Sequence, residues 1–161
     1  MLFRSSSVQN IVIGGGAGAV PPLVGWAAVT GHIDMPSLFL FALIFFWTPP
    51  HFWALALLKK NDYARASVPM LPVVWGEAET RRQIVLYTLL VVALSLLLTP
   101  AQVAGNFYLL AAAVLGAGFI YFAVLLLRRG GNKVAWQLYK YSSLYLAALF
   151  VALMIDRFVR G

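Results

Sequence analysis

The chain has 161 residues, of which 62% are hydrophobic and 11% are charged, and it contains no cysteine. A soluble domain carries roughly 25% charged residues, so this chain has too few charges to cover a water-facing surface. The composition excludes an ordinary soluble enzyme, a disordered tail, a disulfide scaffold and any cysteine-ligated zinc or iron–sulfur site. It predicts an integral membrane protein.

Five apolar stretches follow in chain order, and each is close to the roughly 20 residues that a bilayer-spanning helix needs. They cover residues 10–30, 37–58, 84–99, 107–127 and 138–155. None has the one-sided apolar pattern of a helix in a soluble bundle. The first stretch is too long for a cleavable signal peptide and four more follow it, so no such peptide is expected. We predict a single all-α membrane domain with five transmembrane helices.

The net charge of +7 indicates how the chain is oriented in the bilayer and does not indicate nucleic-acid binding, because the basic residues lie between apolar runs. Five spans place the N-terminus and the segments 59–83 and 128–137 on one side. Of the twelve Lys and Arg residues, only Arg157 and Arg160 lie on the other side. Cytoplasmic loops carry the excess of Lys and Arg. The N-terminus, which includes Arg4, and the 59–83 loop are therefore predicted to be cytoplasmic.

The 59–83 loop is the candidate functional segment. It contains Asp62, Glu77 and Glu79 among several cations, and loops of this length are uncommon unless they are functional or disordered. Residues 68–75 are too apolar for disorder. The alternative is a loop that docks on lipid headgroups through its prolines and Trp75.

Two spans contain paired prolines, Pro21-Pro22 and Pro49-Pro50. A proline removes a helical hydrogen bond, so each pair is predicted to break or kink its helix. Both pairs lie roughly 14 to 17 Å from the cytoplasmic ends of their spans. The matching depth favours a cavity open to the cytoplasm, and the alternative is a pair of kinks that only improve packing.

His51 follows the second proline pair and lies roughly 10 Å inside its span. Ionisable groups at such depth are expensive and usually functional. The alternative is a neutral histidine that bonds to a carbonyl freed by the prolines. If the helix continues to Asp62, both side chains share one face about 16 Å apart. Lys59, Lys60 and Arg65 lie beside Asp62 in the sequence. A helix face with His51 at one end and these charged residues at the other would suit a long amphiphile with an anionic head.

Smaller signals have structural interpretations. The small residues at 14–19 and 116–118 predict close helix packing. Asp156 and Arg157 are predicted to form a solvated helix end. The interface anchors are expected among the tyrosines Tyr108, Tyr121, Tyr139, Tyr141 and Tyr145.

Four motifs then occur in order: Asn-Ile-Val-Ile-Gly-Gly at 10–15, Pro-Pro-Leu-Val-Gly-Trp at 21–26, Trp-Thr-Pro-Pro-His-Phe-Trp-Ala-Leu-Ala-Leu at 47–57, and Asp62-Tyr63 with Val-Pro-Met-Leu-Pro-Val-Val at 68–74. Together they resemble the protohaem IX farnesyltransferase (haem O synthase) branch of the intramembrane UbiA-like prenyltransferases. Beyond about residue 90 the resemblance depends on hydropathy and span count.

The resemblance implies the last five helices of a nine-helix bundle around a lateral cavity. In this family two aspartate-rich cytoplasmic loops bind Mg²⁺ and the prenyl diphosphate, and Asp62 lies at the place of the second motif. The first motif is absent from the chain, and Ala66 stands where the wider superfamily has another aspartate. The chain alone is therefore expected to lack half of the metal site and to be inactive.

The resemblance also implies an activity and residue roles. A farnesyl group would pass from farnesyl diphosphate to a vinyl group of haem B, giving haem O. Asp62 would be catalytic as a Mg²⁺ ligand, with haem B as substrate rather than cofactor. Lys59, Lys60 and Arg65 would bind the diphosphate. His51 and Trp47 would bind the haem, and His51 is a candidate axial ligand of its iron. The cavity would be shaped by Pro21, Pro22, Pro49 and Pro50.

The implied location is the bacterial inner membrane, with the C-terminus opposite the cytoplasm. Implied partners are the bilayer, the missing N-terminal half and haem A synthase, and no nucleic acid is expected. Two alternatives stay open. One is a prenyltransferase with a quinone-precursor or chlorophyll-type acceptor, and the other is a transporter or channel subunit with broken helices at the midplane.

Overall fold

A computed structural model describes residues 10–161 of the chain, and Arg4 lies outside this range. The helices are α1 (Asn10–Thr30), α2 (Met35–Leu58), α3 (Lys60–Arg65), α4 (Leu71–Val74), α5 (Gly76–Leu97), α6 (Asn106–Arg129) and α7 (Asn132–Arg160). Five of them, α1, α2, α5, α6 and α7, are long and apolar enough to cross a membrane. The prediction of an all-α protein with five spans is confirmed.

The five long helices form an antiparallel bundle with α2 at its centre. Helix α2 packs against α1, α5 and α7, and α6 packs against both α5 and α7. Near the start of α5, Arg81 lies against Gly130 in the α6–α7 turn. This end of the bundle also holds α3 and α4, and we call it the α3–α4 end. The α5–α6 connection meets the last turns of α7 at the opposite end, where Gly105 donates its N–H to Asp156.

Helices α5 and α7 begin well before the apolar stretches that predicted them. Helix α5 begins at Gly76, whereas its apolar stretch begins at residue 84, and α7 is similarly longer than 138–155 at both ends. The first turn of α5 carries Glu77 and Glu79. Hydropathy marks only the lipid-embedded part of a helix, while backbone hydrogen bonding continues into the polar interface. The connection between the second and third spans is therefore shorter than 59–83.

Neither proline pair ends its helix. Helix α1 runs through Pro21 and Pro22, and α2 runs through Pro49 and Pro50. The expected breaks do not occur in the structure. The two pairs also differ in environment, because Pro49 and Pro50 are buried while Pro21 is exposed and Pro22 is partly buried.

A glycine of α1 covers one carbonyl that the second pair leaves free. Proline at position 49 has no N–H to bond the carbonyl of Phe45 one turn earlier. A Cβ built on Gly15 would lie 3.3 Å from the Phe45 oxygen and 3.1 Å from Cβ of Thr48. Because Gly15 has no side chain, α1 can pack directly on this part of α2. The predicted close packing of the 14–19 segment is confirmed at this position.

The second predicted small-residue contact lies where α6 meets α5 and α7. A Cβ on Gly116 would lie 2.7 Å from Cγ1 of Val92, and one on Gly118 would overlap the hydroxyl of Tyr141. That hydroxyl donates a 2.8 Å hydrogen bond to the carbonyl of Leu115. Glycine therefore allows α7 to approach α6 closely enough to bond its backbone.

The prediction of a solvated helix end at Asp156 is wrong. Asp156 is 1% exposed. Its carboxylate accepts the backbone N–H groups of Gly105 at 2.7 Å and Tyr108 at 3.2 Å, and it pairs with Nε of Arg160 at 2.9 Å. Gly105 precedes α6 and has no side chain to cap it. Asp156 therefore caps α6 from another helix, which explains why burial of its charge is tolerated.

The premise that helix α2 continues to Asp62 is also wrong. Helix α2 ends at Leu58, and Lys59 (φ −104°, ψ 20°) separates it from α3, which begins at Lys60. The 3.6-residue period therefore does not carry across this point, and the shared face predicted for His51 and Asp62 loses its basis.

Candidate functional site

The charged residues predicted to bind a diphosphate lie on α3 or directly before it. Nζ of Lys59 is 3.6 Å from Oδ2 of Asp62, whose side chain is 64% exposed. Lys60 contacts another element, with Nζ 3.5 Å from Oε1 of Glu77. Arg65 is exposed and forms no ion pair within residues 10–161. Exposed ion pairs of this kind stabilise a protein little, so these side chains can change partners at small cost.

Glu77 connects this charged segment to the start of α5, and the sequence interpretation assigned it no role. Its second oxygen accepts a 2.9 Å hydrogen bond from Nη2 of Arg81. The Glu77–Arg81 spacing of four residues was the available signal. The contact with Lys60 could not be predicted, because it depends on how α3 folds back towards α5.

His51 is buried, with 6% of its surface exposed, and lies between two aromatic rings. Its imidazole stacks on Trp47 with ring centroids 4.3 Å apart and on Tyr139 of α7 at 4.5 Å. Phe52 approaches edge-on at 5.1 Å. Both faces of the imidazole are therefore covered, and only its edges are available for bonding.

Ser142 of α7 joins this cluster through three hydrogen bonds. Its hydroxyl lies 2.6 Å from Nδ1 of His51 and donates to the carbonyl of Tyr139 at 2.7 Å. Its own carbonyl accepts the indole N–H of Trp47 at 2.8 Å. The partner of His51 is therefore a hydroxyl on another helix and not the freed carbonyl considered from the sequence. Ser142 lies 91 residues away in the chain, and no local pattern predicts that pairing.

An apolar cavity of about 370 Å³ lies between α1, α2 and the segment after α2. It is lined by Ile11, Gly14, Thr48, Phe52, Tyr63, Val68 and Met70. Tyr63 directly follows Asp62, and Thr48 and Phe52 flank the buried proline pair and His51. The cavity therefore adjoins both the charged segment and the aromatic cluster. The first proline pair does not line it.

A larger cavity of about 640 Å³ lies at the opposite end of the bundle. It is lined mainly by apolar side chains of α1, α2 and α7, such as Trp26, Leu40 and Phe150. None of the predicted site residues lines it. We therefore place the candidate site at the α3–α4 end, where the predicted chemistry is found.

The predicted site residues form two groups. Lys59 and Asp62 are paired on the exposed segment, while His51 and Trp47 are stacked in the interior of the bundle. In residues 10–161 no three His, Asp or Glu side chains come close enough together to hold a metal ion. Of the acidic residues at this end, Glu77 and Glu79 are bonded to residues of α5, and Asp62 is the one carboxylate on α3.

The described chain is therefore a helical bundle of the membrane type, with a charged segment and an apolar cavity at one end. The model of the UbiA prenyltransferase family matches residues 1–153, and the chain belongs to this family. A solved structure from work on digeranylgeranylglyceryl phosphate synthase in membranes has a TM-score of 0.82 and 22% identity to the chain. The match covers 91% of this chain and 52% of that one, which confirms the predicted UbiA-like fold.

Three curated relatives are named protohaem IX farnesyltransferase. The protein of Roseiflexus castenholzii is 60% identical over 98% of this chain, that of Chloroflexus aurantiacus 56% over 99%, and that of Saccharophagus degradans 49% over 98%. The chain spans 29%, 27% and 52% of their lengths, respectively. The similarity to this branch of the family, predicted from four motifs, is confirmed.

Proposed function

We propose that the chain is part of an enzyme that transfers a farnesyl group from farnesyl diphosphate to a vinyl group of haem B, giving haem O. The observation that carries the proposal is the cavity of about 370 Å³ lined by Tyr63, the residue that follows Asp62 of the Lys59–Asp62 pair. Tyr63 lines the cavity, so a prenyl chain bound there would have its diphosphate next to the charged segment. Relatives named protohaem IX farnesyltransferase at up to 60% identity support both substrates.

Asp62 suits one ligand position of a diphosphate-bound Mg²⁺. Its carboxylate is exposed and paired only with Lys59 in the described part of the chain. Proteins commonly hold Mg²⁺ through one or two carboxylates together with substrate phosphates. When bound, the metal would neutralise charge on the departing diphosphate. Further ligands would come from elsewhere, since no three His, Asp or Glu side chains within residues 10–161 come together to hold a metal ion.

The cations of the segment would bind the diphosphate oxygens. Lys59 and Lys60 would supply point charges, and Arg65 would supply paired N–H donors. Lys60 would have to exchange Glu77 for the diphosphate, which the exposed 3.5 Å pair permits. By neutralising the diphosphate, these cations would favour cleavage of the bond between the farnesyl carbon and the diphosphate oxygen, with the electron pair leaving on the diphosphate.

The acceptor half of the reaction would involve the aromatic cluster. The vinyl π-electrons of haem B form the new carbon–carbon bond to the allylic cation, and water adds to the resulting cation with loss of a proton. His51 would contact the haem and is the candidate ligand of its iron. Trp47 would support the imidazole, because its ring stacks on His51 and its N–H is bound to Ser142. The buried Pro49 and Pro50 would shape the adjacent cavity wall, and Pro21 and Pro22 would shape the exposed side of α1.

The location and partners belong to the same proposal. The α3–α4 end carries the basic turns and would face the cytoplasm of a bacterial cell, with the C-terminus on the other side of the inner membrane. The N-terminal half of the bundle would supply the first aspartate-rich motif, and haem A synthase would receive the product.

The test uses the full product of the gene, purified in detergent and supplied with Mg²⁺ and farnesyl diphosphate. Haem B, a quinone precursor and a chlorophyll-type pigment are offered separately, and products are identified by mass. We expect a farnesylated hydroxyethyl product from haem B alone. Prenylation of another acceptor in preference to haem B would overturn the proposal in favour of a different branch of the family.

Replacement of Asp62 by Ala tests the metal role. We expect turnover to be lost while folding and haem binding are kept, because the substitution removes an exposed carboxylate and no packing. Glu79→Ala is the matched control, since Glu79 is an acidic residue at the same end whose partners are Gln83 and Arg82. Mg²⁺-dependent activity retained by the Asp62 variant would refute its metal role.

The transporter alternative receives no support from the acidic residues. It would require an intramembrane carboxylate available to a solute or ion. The one buried carboxylate of the described chain, Asp156, is already bonded to two backbone N–H groups and Arg160.

A further inference from the structure

The hydrogen bonds around Ser142 determine which nitrogen of His51 carries a proton. A serine hydroxyl has one proton to donate and can accept other hydrogen bonds. The carbonyl of Tyr139, 2.7 Å from the Ser142 oxygen, can only accept. If that hydroxyl proton were directed to His51, two oxygens with lone pairs would face each other at this distance. The hydroxyl therefore donates to the carbonyl and accepts from Nδ1 of His51 at 2.6 Å.

A neutral imidazole with a proton on Nδ1 has an unprotonated Nε2. Nε2 has no hydrogen-bond partner within residues 10–161. The stacked rings of Trp47 and Tyr139 cover both faces of the imidazole, so its orientation is fixed by packing and by the bond to Ser142. His51 consequently offers one lone pair, in the ring plane, from a fixed position in the bundle.

We propose that Ser142 is a positioning residue that holds His51 in the Nδ1–H form, so that Nε2 can coordinate the iron of the haem acceptor. This inference depends on the proposed function for the identity of the acceptor. The chemistry is that of histidine ligands in general, whose second ring nitrogen donates to a neighbouring oxygen that fixes the tautomer and the ring orientation. Here that oxygen is a hydroxyl of α7, while the histidine lies on α2.

Ser143 provides a matched control. It is the next residue of α7, it is exposed, and its hydroxyl lies 3.4 Å from the same Tyr139 carbonyl. Ser143→Ala therefore makes the same chemical change on the same helix turn without touching His51. Ser142→Ala removes only the oxygen bonded to Nδ1, and Ser142→Thr retains a hydroxyl at that position.

The first measurement identifies the tautomer directly. The full gene product is labelled with ¹⁵N-histidine, and the His51 signals are assigned as those lost in the His51→Gln variant. We expect a protonated Nδ1 and an unprotonated Nε2 in the unsubstituted protein and in Ser143→Ala. The Ser142→Ala variant should lose this preference, and Ser142→Thr should retain it. A proton on Nε2 in the unsubstituted protein would overturn the inference, whatever the enzyme's substrate is.

The second measurement is a titration with ferric haem B, followed through its absorption spectrum. Loss of an outer-shell partner of a metal ligand typically weakens metal affinity by about 10- to 100-fold. We expect such a loss, with a changed Soret band, in Ser142→Ala, and no change in Ser143→Ala. If His51→Ala weakens binding and Ser142→Ala does not, the positioning role is refuted while the proposed haem site stands. If His51→Ala leaves the titration unchanged, the haem role of His51 is refuted, and with it the iron-directed part of this inference.

Discussion

The buried carboxylate of Asp156 should be among the most sensitive positions of the bundle. It is 1% exposed, caps the first turn of α6 through the N–H groups of Gly105 and Tyr108, and pairs with Arg160. Replacement by Ala would leave two backbone donors and a guanidinium without their partner. Replacement by Asn would keep the size but turn an N–H donor towards one of these donors.

The magnitude follows from these contacts. A buried donor that loses its partner costs about 1 to 3 kcal/mol. Removal of one member of a buried ion pair costs about 3 to 5 kcal/mol. Because the Arg160 side chain is 37% exposed and can be hydrated, we expect the lower part of this range, about 3 kcal/mol, for Asp156→Ala. Asp156→Asn should lose a similar amount.

The assay is unfolding of the full gene product in mixed micelles with increasing denaturing detergent, with helix content as the signal. Arg157→Ala is the control, because Arg157 is the exposed neighbour on the same turn. We expect the two Asp156 variants to unfold at clearly lower detergent fractions than the control. Equal stability of Asp156→Ala and Arg157→Ala would refute the reasoning that this carboxylate is a required cap.

Two glycine pairs give further predictions, each with an internal control. Gly118→Ala should lower the free energy of unfolding by about 1 to 3 kcal/mol, because its Cβ would overlap Tyr141. Gly18→Ala is the control, because a Cβ there would meet open space and should be tolerated. Thermal unfolding of both variants measures the difference. Gly130 and Gly131 both have positive φ, but only a Cβ at Gly130 would lie 2.5 Å from an arginine guanidinium of α5. Because moving that guanidinium would disturb its 2.9 Å bond to Glu77, Gly130→Ala should unfold at a slightly lower temperature than Gly131→Ala, and the reverse order would contradict this packing.

The fold could be predicted from the sequence because lipid imposes a simple rule. Backbone polar groups must be bonded internally within the membrane, so each apolar stretch of sufficient length had to be a helix. The same rule does not locate helix ends in the polar interface, because unpaired backbone groups can bond to water there. The start of α5 at Gly76 lies before its apolar stretch for this reason, whereas α2 ends at Leu58, where its apolar stretch also ends.

The candidate site was predictable only in part. The run around His51 and the segment around Asp62 were identifiable because rare residue types occur at unusual depth or in unusual density. Their partners were not identifiable, since Ser142 and Glu77 are ordinary residues whose roles arise from contacts between helices. The burial of Asp156 was missed for the same reason, because its bonding partner Gly105 lies 51 residues earlier in the chain.

The proposed synthesis of haem O by the enzyme that contains this chain can be tested in a bacterial host that lacks its own haem O synthase. The full gene and its Asp62→Ala variant are expressed, and haems are extracted from membranes and identified by mass. We expect haem O with the unsubstituted gene and only haem B with the variant. Haem B alone in both strains, with the protein folded in the membrane, would contradict the account.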